Sequence, residues 1–300
     1  MKRYGDFLYV VEYNKYVLKR RDYAKTMYFK HWGGIGDMCF FLTYIHPYIK
    51  TITGYHKIAV VDTTEEFANQ MIGLFQRNGD FDELWLIKEP LGGEQYIPEE
   101  MLYPDGNNTV CMMPGIYSVS MPRSNIPVVG YPIAMIQEEL KHTKYLIPIS
   151  EHINERVPVG KPLVIVQAQS RSKFIDLQRL STECLDIIEE LSDKANFVII
   201  DEKHTDRPGR KIQSLSGIEA VDVIDIVAHC DLYFGMQSFM AMAALIFNKP
   251  MVTWRYNVGL EWFERELSSD RAKWWEWMQH ECHEKDKIKS LLLSGLESLQ

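Results

Sequence analysis

Met27-Tyr-Phe-Lys-His31-Trp-Gly-Gly-Ile-Gly36-Asp37 is the stretch on which the fold turns. Met27 to His31 reads as a short strand, Trp32 to Gly36 as a glycine loop, and Met38 to about Ile49 as an apolar segment of helical length. Strand, glycine loop and helix in that order open a nucleotide-type α/β unit. Glycines let the backbone approach a ligand closely, and the helix that follows offers unpaired N–H groups to an anion or a polar sugar. Asp37 falls in the expected first turn, where the helix dipole favours an ionised carboxylate. Such a carboxylate can take a hydroxyl proton, which makes Asp37 a candidate general base, and the same residue type fits a helix N-cap.

On the amino-terminal side, residues 7 to 11 and 16 to 20 alternate about Glu12 to Lys15 as a β-hairpin does. On the other side, the pattern predicts a strand over Lys57 to Asp62, a helix from about Thr64 to Arg77 and a strand over Glu83 to Ile87. Thr109 to Met113 is a further candidate strand in a stretch rich in Gly, Pro and Asn. Alternating strands and helices imply a parallel sheet with both faces covered. Pro148 to Pro162, with Val157-Pro-Val-Gly-Lys-Pro162, reads as a linker, and a second α/β series follows it. Its expected elements are a strand over Leu163 to Gln167, a helix capped by Ser181 and running to about Lys194, and a strand over Asn196 to Asp201. A helix over Asp222 to His229, a strand over Leu232 to Gly235, a helix over Ser238 to Phe247 and a strand over Met251 to Trp254 come next. From Glu261 onward the composition is helical, with Trp262, Trp274, Trp275 and Trp277 suited to packing against a neighbouring domain. The reading is thus an α/β chain of two Rossmann-like domains, residues 1–155 and 156–300, with a bracing C-terminal helix.

The 300-residue length favours two domains, and 46% hydrophobic residues supply a core for each. No segment has the form of a signal peptide or a membrane span, so a soluble, cytoplasmic protein is expected. Five scattered cysteines without a Cys-x-x-Cys pair point to reduced thiols, and His280, Cys282 and His283 lack partners at zinc-finger spacing. No metal is expected. The net charge is −8, but residues 1–30 hold eight basic side chains against three acidic ones, leaving −13 for the rest. That strip fits either a charged edge hairpin or a docking surface for a phosphate-bearing acceptor. Asp80-Phe-Asp82 has the spacing of a metal-holding pair, but it follows Asn78-Gly79 and precedes a strand, as a turn does.

Two segments of the second half carry candidate chemistry. Gln167-Ala-Gln-Ser-Arg-Ser-Lys173 leaves a strand's carboxyl end, where Arg171 and Lys173 suit the charge of a diphosphate leaving group. Phe234-Gly-Met-Gln-Ser-Phe239 turns from strand to helix through Gln237 and Ser238, and Ser238 can cap the helix and hold phosphate beside backbone amides. Ala241, Ala243 and Ala244 suit close packing of that helix on a sheet.

The loop Gly34-Ile-Gly-Asp37 and the run from Cys230 to Pro250 resemble the two hallmark segments of the heptosyltransferase family, the glycosyltransferases that extend lipopolysaccharide cores. The resemblance implies a glycosyltransferase B fold of two facing Rossmann-like domains. The first would hold the acceptor, at His31, Gly34 and Gly36, and the second a nucleotide-sugar, at Arg171, Lys173, Gln237, Ser238 and Phe239. It implies Asp37 as base, no cofactor beyond the nucleotide-sugar co-substrate, and an acceptor that is a glycan or glycolipid; the basic strip adds a hydroxylated DNA base as an alternative. Where the family has Asp-Ser-Gly and a histidine three residues on, this chain has Gln237-Ser238-Phe239 and Met242, which implies a changed donor. A non-catalytic nucleotide-sugar or partner-binding module is the second reading. A dinucleotide-dependent oxidoreductase is the third, with Gly34, Gly36 and Asp62 as remnants of a fingerprint that Asp37 would oppose by its charge.

Overall fold

The computed structural model describes residues 3–4, 7–10, 15–17, 25–32, 34–36, 38–39, 42, 49–50, 53–63, 65–88, 108–112, 150, 155–167, 177–200, 212–236, 238–247, 249–254, 276–278 and 285–299. The chain divides into two compact units, Met1–Pro148 and Ile149–Gln300.

In the first unit, β1 (Arg3–Tyr4), β2 (Phe7–Val10), β3 (Lys15–Val17), β4 (Lys25–Trp32), β5 (Tyr55–Thr63), β6 (Glu83–Lys88) and β7 (Asn108–Met112) form one sheet, ordered β1-β2-β3-β6-β5-β4-β7. β6, β5, β4 and β7 are parallel, and the expected hairpin joins their edge antiparallel, with Tyr9 opposite Tyr16 and Lys15 opposite Trp85. Ile58, Ala59, Val60 and Val61 of β5 are all buried, as a central strand covered on both faces requires. Helix α1 (Glu65–Asn78) connects β5 to β6 and buries Met71, Leu74, Phe75 and Asn78 along one stripe. Gly79, at φ 71°, closes it by donating its N–H to Phe75 O at 3.0 Å, the left-handed stop that favours glycine. Phe81 then meets both Phe29 and Phe75 edge to face, with ring centroids 5.5 and 5.3 Å apart.

The second unit holds a six-stranded, wholly parallel sheet: β8 (Leu163–Gln167), β9 (Asn196–Ile200), β10 (Gln213–Leu215), β11 (Leu232–Met236), β12 (Met251–Trp254) and β13 (Glu276–Met278). Its order, β10-β9-β8-β11-β12-β13, is 3-2-1-4-5-6 in chain sequence, the doubly wound dinucleotide-domain order. Among the described residues four helices accompany it: α2 (Leu177–Glu190), α3 (Ala220–His229), α4 (Phe239–Ile246) and α5 (Lys285–Glu297). One core takes Val164 and Val166 of β8, Phe197 and Ile199 of β9 and Leu232 and Phe234 of β11 against Cys184, Leu185, Ile187 and Ile188 of α2 and Ile288, Leu292 and Leu296 of α5. Ser150 N–H donates to the buried Asp225 carboxylate of α3 at 3.0 Å, attaching residue 150 to this unit.

Two expectations change. Ser181 is inside α2, which starts four residues earlier at Leu177. The carboxyl-terminal region is not helical throughout: Trp277 stands in β13, which adds a parallel edge beside β12. The last helix, α5, packs into the core of the second unit, closely enough that a Cβ on Gly295 would lie 3.3 Å from Leu232. Trp262, Trp274, Trp275 and the cluster His280, Cys282, His283 lie outside the described residues.

Candidate functional site

Both sheets reverse their strand order once, and both candidate segments leave the sheet there. In a parallel sheet, ligands bind beyond the carboxyl ends of the strands at such a switch point. In the first unit it falls between β4 and β7, the first and fourth parallel strands. β4 carries His31 opposite Val61 and Trp32 opposite Asp62, reaching one residue further at its carboxyl end than the sequence suggests, and the glycine loop follows. Met38 N–H donates to Gly34 O at 3.1 Å, and Ile35 and Gly36 are already helical, so the cap falls on Gly34. A glycine needs no side chain to start this turn. Ile35, Met38, Cys39, Leu42 and Ile49 are buried, which fixes the helix against the sheet. His31 (by its backbone), Gly34 and Gly36 thus gather at the carboxyl end of β4. Asp37 itself lies outside the described residues.

In the second unit the switch point falls between β8 and β11, the first and fourth strands. Gln167 ends β8 opposite Gly235 of β11. The strands are so close here that a Cβ on Gly235 would meet Gln167 O at 2.5 Å and Gln167 N at 2.9 Å. Only glycine satisfies that approach. Two residues beyond the end of β11, Ser238 caps α4, its Oγ accepting the Met240 N–H at 3.1 Å, with Phe239 as the first, partly buried residue of the helix. The fully buried Tyr233 brings its hydroxyl to 3.4 Å from Ser238 Oγ, tying the strand to the turn. Ala241, Ala243 and Ala244 are buried, so the small residues serve the packing of α4. Arg171, Lys173 and Gln237 lie outside the described residues.

One polar group at this place has no match. Gln167 Oε1 is buried and has no hydrogen-bond partner among the described residues. A buried acceptor left unpaired costs about 1–3 kcal/mol. Sequence reading placed Gln167 at the strand end without singling it out, and it missed Gly235 as a site of close approach, although an isolated glycine within a strand is the signal for one.

Other polar clusters are committed to structure. Asp82 is buried and accepts the Lys57 N–H at 2.9 Å, while Asp80 N–H donates to Asn78 Oδ1 at 3.1 Å, so Asp80 and Asp82 form the turn that their sequence suggests. His56 Nε2 pairs with Glu83 Oε1 at 2.6 Å, and Trp85 Nε1 donates to Glu83 Oε2 at 2.8 Å, at the amino ends of β5 and β6. That is the end of the sheet opposite the switch point. Burial pushes the Cys230 thiol up to about 12, which leaves it protonated and inert; Cys39 and Cys184 are also buried.

Two doubly wound α/β units, each with a ligand-type turn at its switch point, define the class of the molecule. No family model and no curated protein matches the sequence. The fold matches solved structures over nearly the whole chain. A family 9 glycosyltransferase from Veillonella parvula is 12% identical, with 94% of this chain and 99% of that one covered and a TM-score of 0.57. The ADP-heptose lipopolysaccharide heptosyltransferase II of E. coli is 10% identical, with 91% and 99% covered and a TM-score of 0.55. A UDP-GlcNAc 2-epimerase from Methanocaldococcus jannaschii is 13% identical, with 91% and 93% covered and a TM-score of 0.51. The fold is accordingly heptosyltransferase-like, of the glycosyltransferase B type. Among the described residues no helix is long and apolar enough to cross a membrane.

Proposed function

We propose that the protein is a glycosyltransferase that moves a sugar from a nucleotide-sugar to an acceptor hydroxyl, with inversion and without a metal or other cofactor. The observation that carries this reading is the switch point of the second sheet, where Gly235 clears the backbone and Ser238 caps α4 at the carboxyl ends of β8 and β11. The shared fold with family 9 glycosyltransferases supports sugar transfer over hydride transfer. In the proposed step, Asp37 takes the proton of the acceptor hydroxyl as its oxygen attacks the anomeric carbon. The bond from that carbon to the phosphate oxygen breaks, and the nucleoside diphosphate leaves with the electron pair toward Arg171, Lys173 and the turn of Gln237, Ser238 and Phe239. His31, Gly34 and Gly36 would line the acceptor side. A glycan or glycolipid is the acceptor that the likeness to a lipopolysaccharide enzyme supports, and a hydroxylated DNA base is the one that the basic amino-terminal strip supports.

The deciding experiment incubates the protein with a panel of nucleotide-sugars, with and without glycan acceptors, and follows both nucleoside diphosphate release and the stereochemistry of the product. Release that depends on acceptor, with inverted product, is expected. The epimerase with the same fold motivates a second reading, conversion of one nucleotide-sugar into its epimer. A changed sugar-nucleotide formed in the absence of any acceptor would select that reading. Thermal stabilisation by nucleotide-sugars with no turnover would select a binding module, and stabilisation by NAD or NADP alone an oxidoreductase.

A further inference from the structure

Side chains alternate along β8 and β11. Val164, Val166, Leu232 and Phe234 point into the core beneath α2 and α5. Gln167, Tyr233 and Gly235 therefore share the other face of the sheet, and the contact of Tyr233 with Ser238 marks this as the face from which the turn into α4 rises. Gln167 thus combines three properties: it ends the first strand at the switch point, it lies on the side of the Ser238 turn, and its carboxamide oxygen is buried without a partner. A structural glutamine in such a place would be expected to find a donor, as the neighbouring Ser238 hydroxyl does with Met240 N–H and Tyr233.

We propose that Gln167 is a specificity residue of the donor site, its buried Oε1 accepting a hydrogen bond from a hydroxyl or amine of the bound nucleotide-sugar. This rests on the transferase reading and deepens it. A phosphate oxygen brings no hydrogen, so the group read by Oε1 belongs to the transferred sugar or to the nucleoside. A Cβ at position 235 would collide with the Gln167 backbone, so glycine is required beside Gln167 at this strand end. The ligand-free protein tolerates an unpaired acceptor because the ligand supplies the missing donor, so stability is given up at a position that function uses.

The test uses Gln167→Met, close in volume and apolar, with Gln167→Leu beside it. Melting temperatures are measured without ligand and with ADP, UDP, GDP and their glucose conjugates. Dissociation constants are then measured for whichever of these stabilise the wild type. Removing an unpaired acceptor is expected to leave the ligand-free protein as stable as the wild type or more so, while affinity falls about three- to tenfold, the loss of one neutral hydrogen bond. A fall confined to the glucose conjugates places the donor group on the sugar, and an equal fall for the diphosphates alone places it on the ribose or base. Variants that bind every ligand as tightly as the wild type overturn the assignment and leave the transferase reading standing. A destabilised ligand-free variant also overturns it, since Oε1 would then have an internal partner. A wild-type protein that none of these ligands stabilises overturns both readings together.

Discussion

At position 235 a methyl group would sit 2.5 Å from the carbonyl oxygen of Gln167, and that atom is backbone, held by the β8–β11 ladder. Nothing flexible can move aside. Gly235→Ala is therefore expected to cost about 1–3 kcal/mol by overpacking and to loosen the switch point, read as a lower denaturation midpoint and a weaker donor-induced stabilisation. An unchanged midpoint would show that the strands do not pack this closely in solution. Ser238→Ala acts on the same turn by removing the acceptor for Met240 N–H, and about 1 kcal/mol of stability is expected to go with it, as for other caps. Asp37 is the residue with the opposite signature. As the proposed base it makes no contact that stabilises the free donor, so Asp37→Ala is expected to abolish transfer while leaving the donor dissociation constant within about twofold. Full turnover in that variant would remove Asp37 from the mechanism.

Among the elements, α5 shows how electrostatics finishes what packing begins. Its apolar residues Ile288, Leu292 and Leu296 join the core, and at its amino end Lys285 and Lys289 each place Nζ 2.6 Å from a different oxygen of Glu190 on α2. The hydrogen bonds from these two lysines hold the Glu190 carboxyl at about 2, down from its ordinary 4.5. A carboxyl whose folded pKa lies below its unfolded one stabilises the protein above the unfolded value and loses that contribution as pH falls through the folded value. The docking of α5 should therefore weaken between about pH 4.5 and pH 2, and Glu190→Gln should lack that part of the acid transition. The groups are exposed, so the difference is small and shrinks in high salt. Melting curves at pH 5, 4, 3 and 2 for both proteins check it. The elements that the sequence discloses are those whose apolar runs are long and bounded: β5 and β8 by unbroken buried residues, α1 by its stripe and its glycine stop. Those it hides depend on partners far along the chain. β10 is three residues, Gln213 to Leu215, with only Leu215 buried, and it is a strand because Val198 to Ile200 pair with it. β13 is a strand because β12 offers an edge. The site divides the same way: the Gly34 and Ser238 turns are legible from glycine and cap chemistry, whereas the roles of Gly235 and Gln167 arise from two strands meeting across 68 positions of sequence.

For the molecule as a whole, the question that charge and topology can address is the acceptor. The amino-terminal 30 residues carry a net +5, eight basic against three acidic, and the remainder carries −13. Among the described residues, Arg3 and Lys15 stand on edge strands and Lys25 at the far end of β4, while Lys30 alone lies near the glycine loop. β1, β2 and β3 form the far edge of the first sheet, and between β3 and β4 stand β6 and β5, a separation of three strand spacings or about 14 Å. Exposed Lys25 lies at the amino end of β4, about 23 Å along the strand from Trp32. A DNA acceptor would have to place one base beyond the carboxyl end of β4 while its phosphates reached back to that edge, against the field of an otherwise acidic protein. A glycan acceptor makes no such demand, and its binding needs no counterion release. Replacing Arg20 and Arg21 together by Ala is accordingly expected to leave transfer to a glycan acceptor within about twofold of wild type, and duplex DNA should bind weakly and without base preference. The measurement is acceptor affinity from 50 to 300 mM salt for both proteins. Tight DNA binding that falls steeply with salt in the wild type, and less steeply in the double variant, would move the acceptor from sugar to DNA and turn the basic edge from a guard against strand pairing into a docking surface.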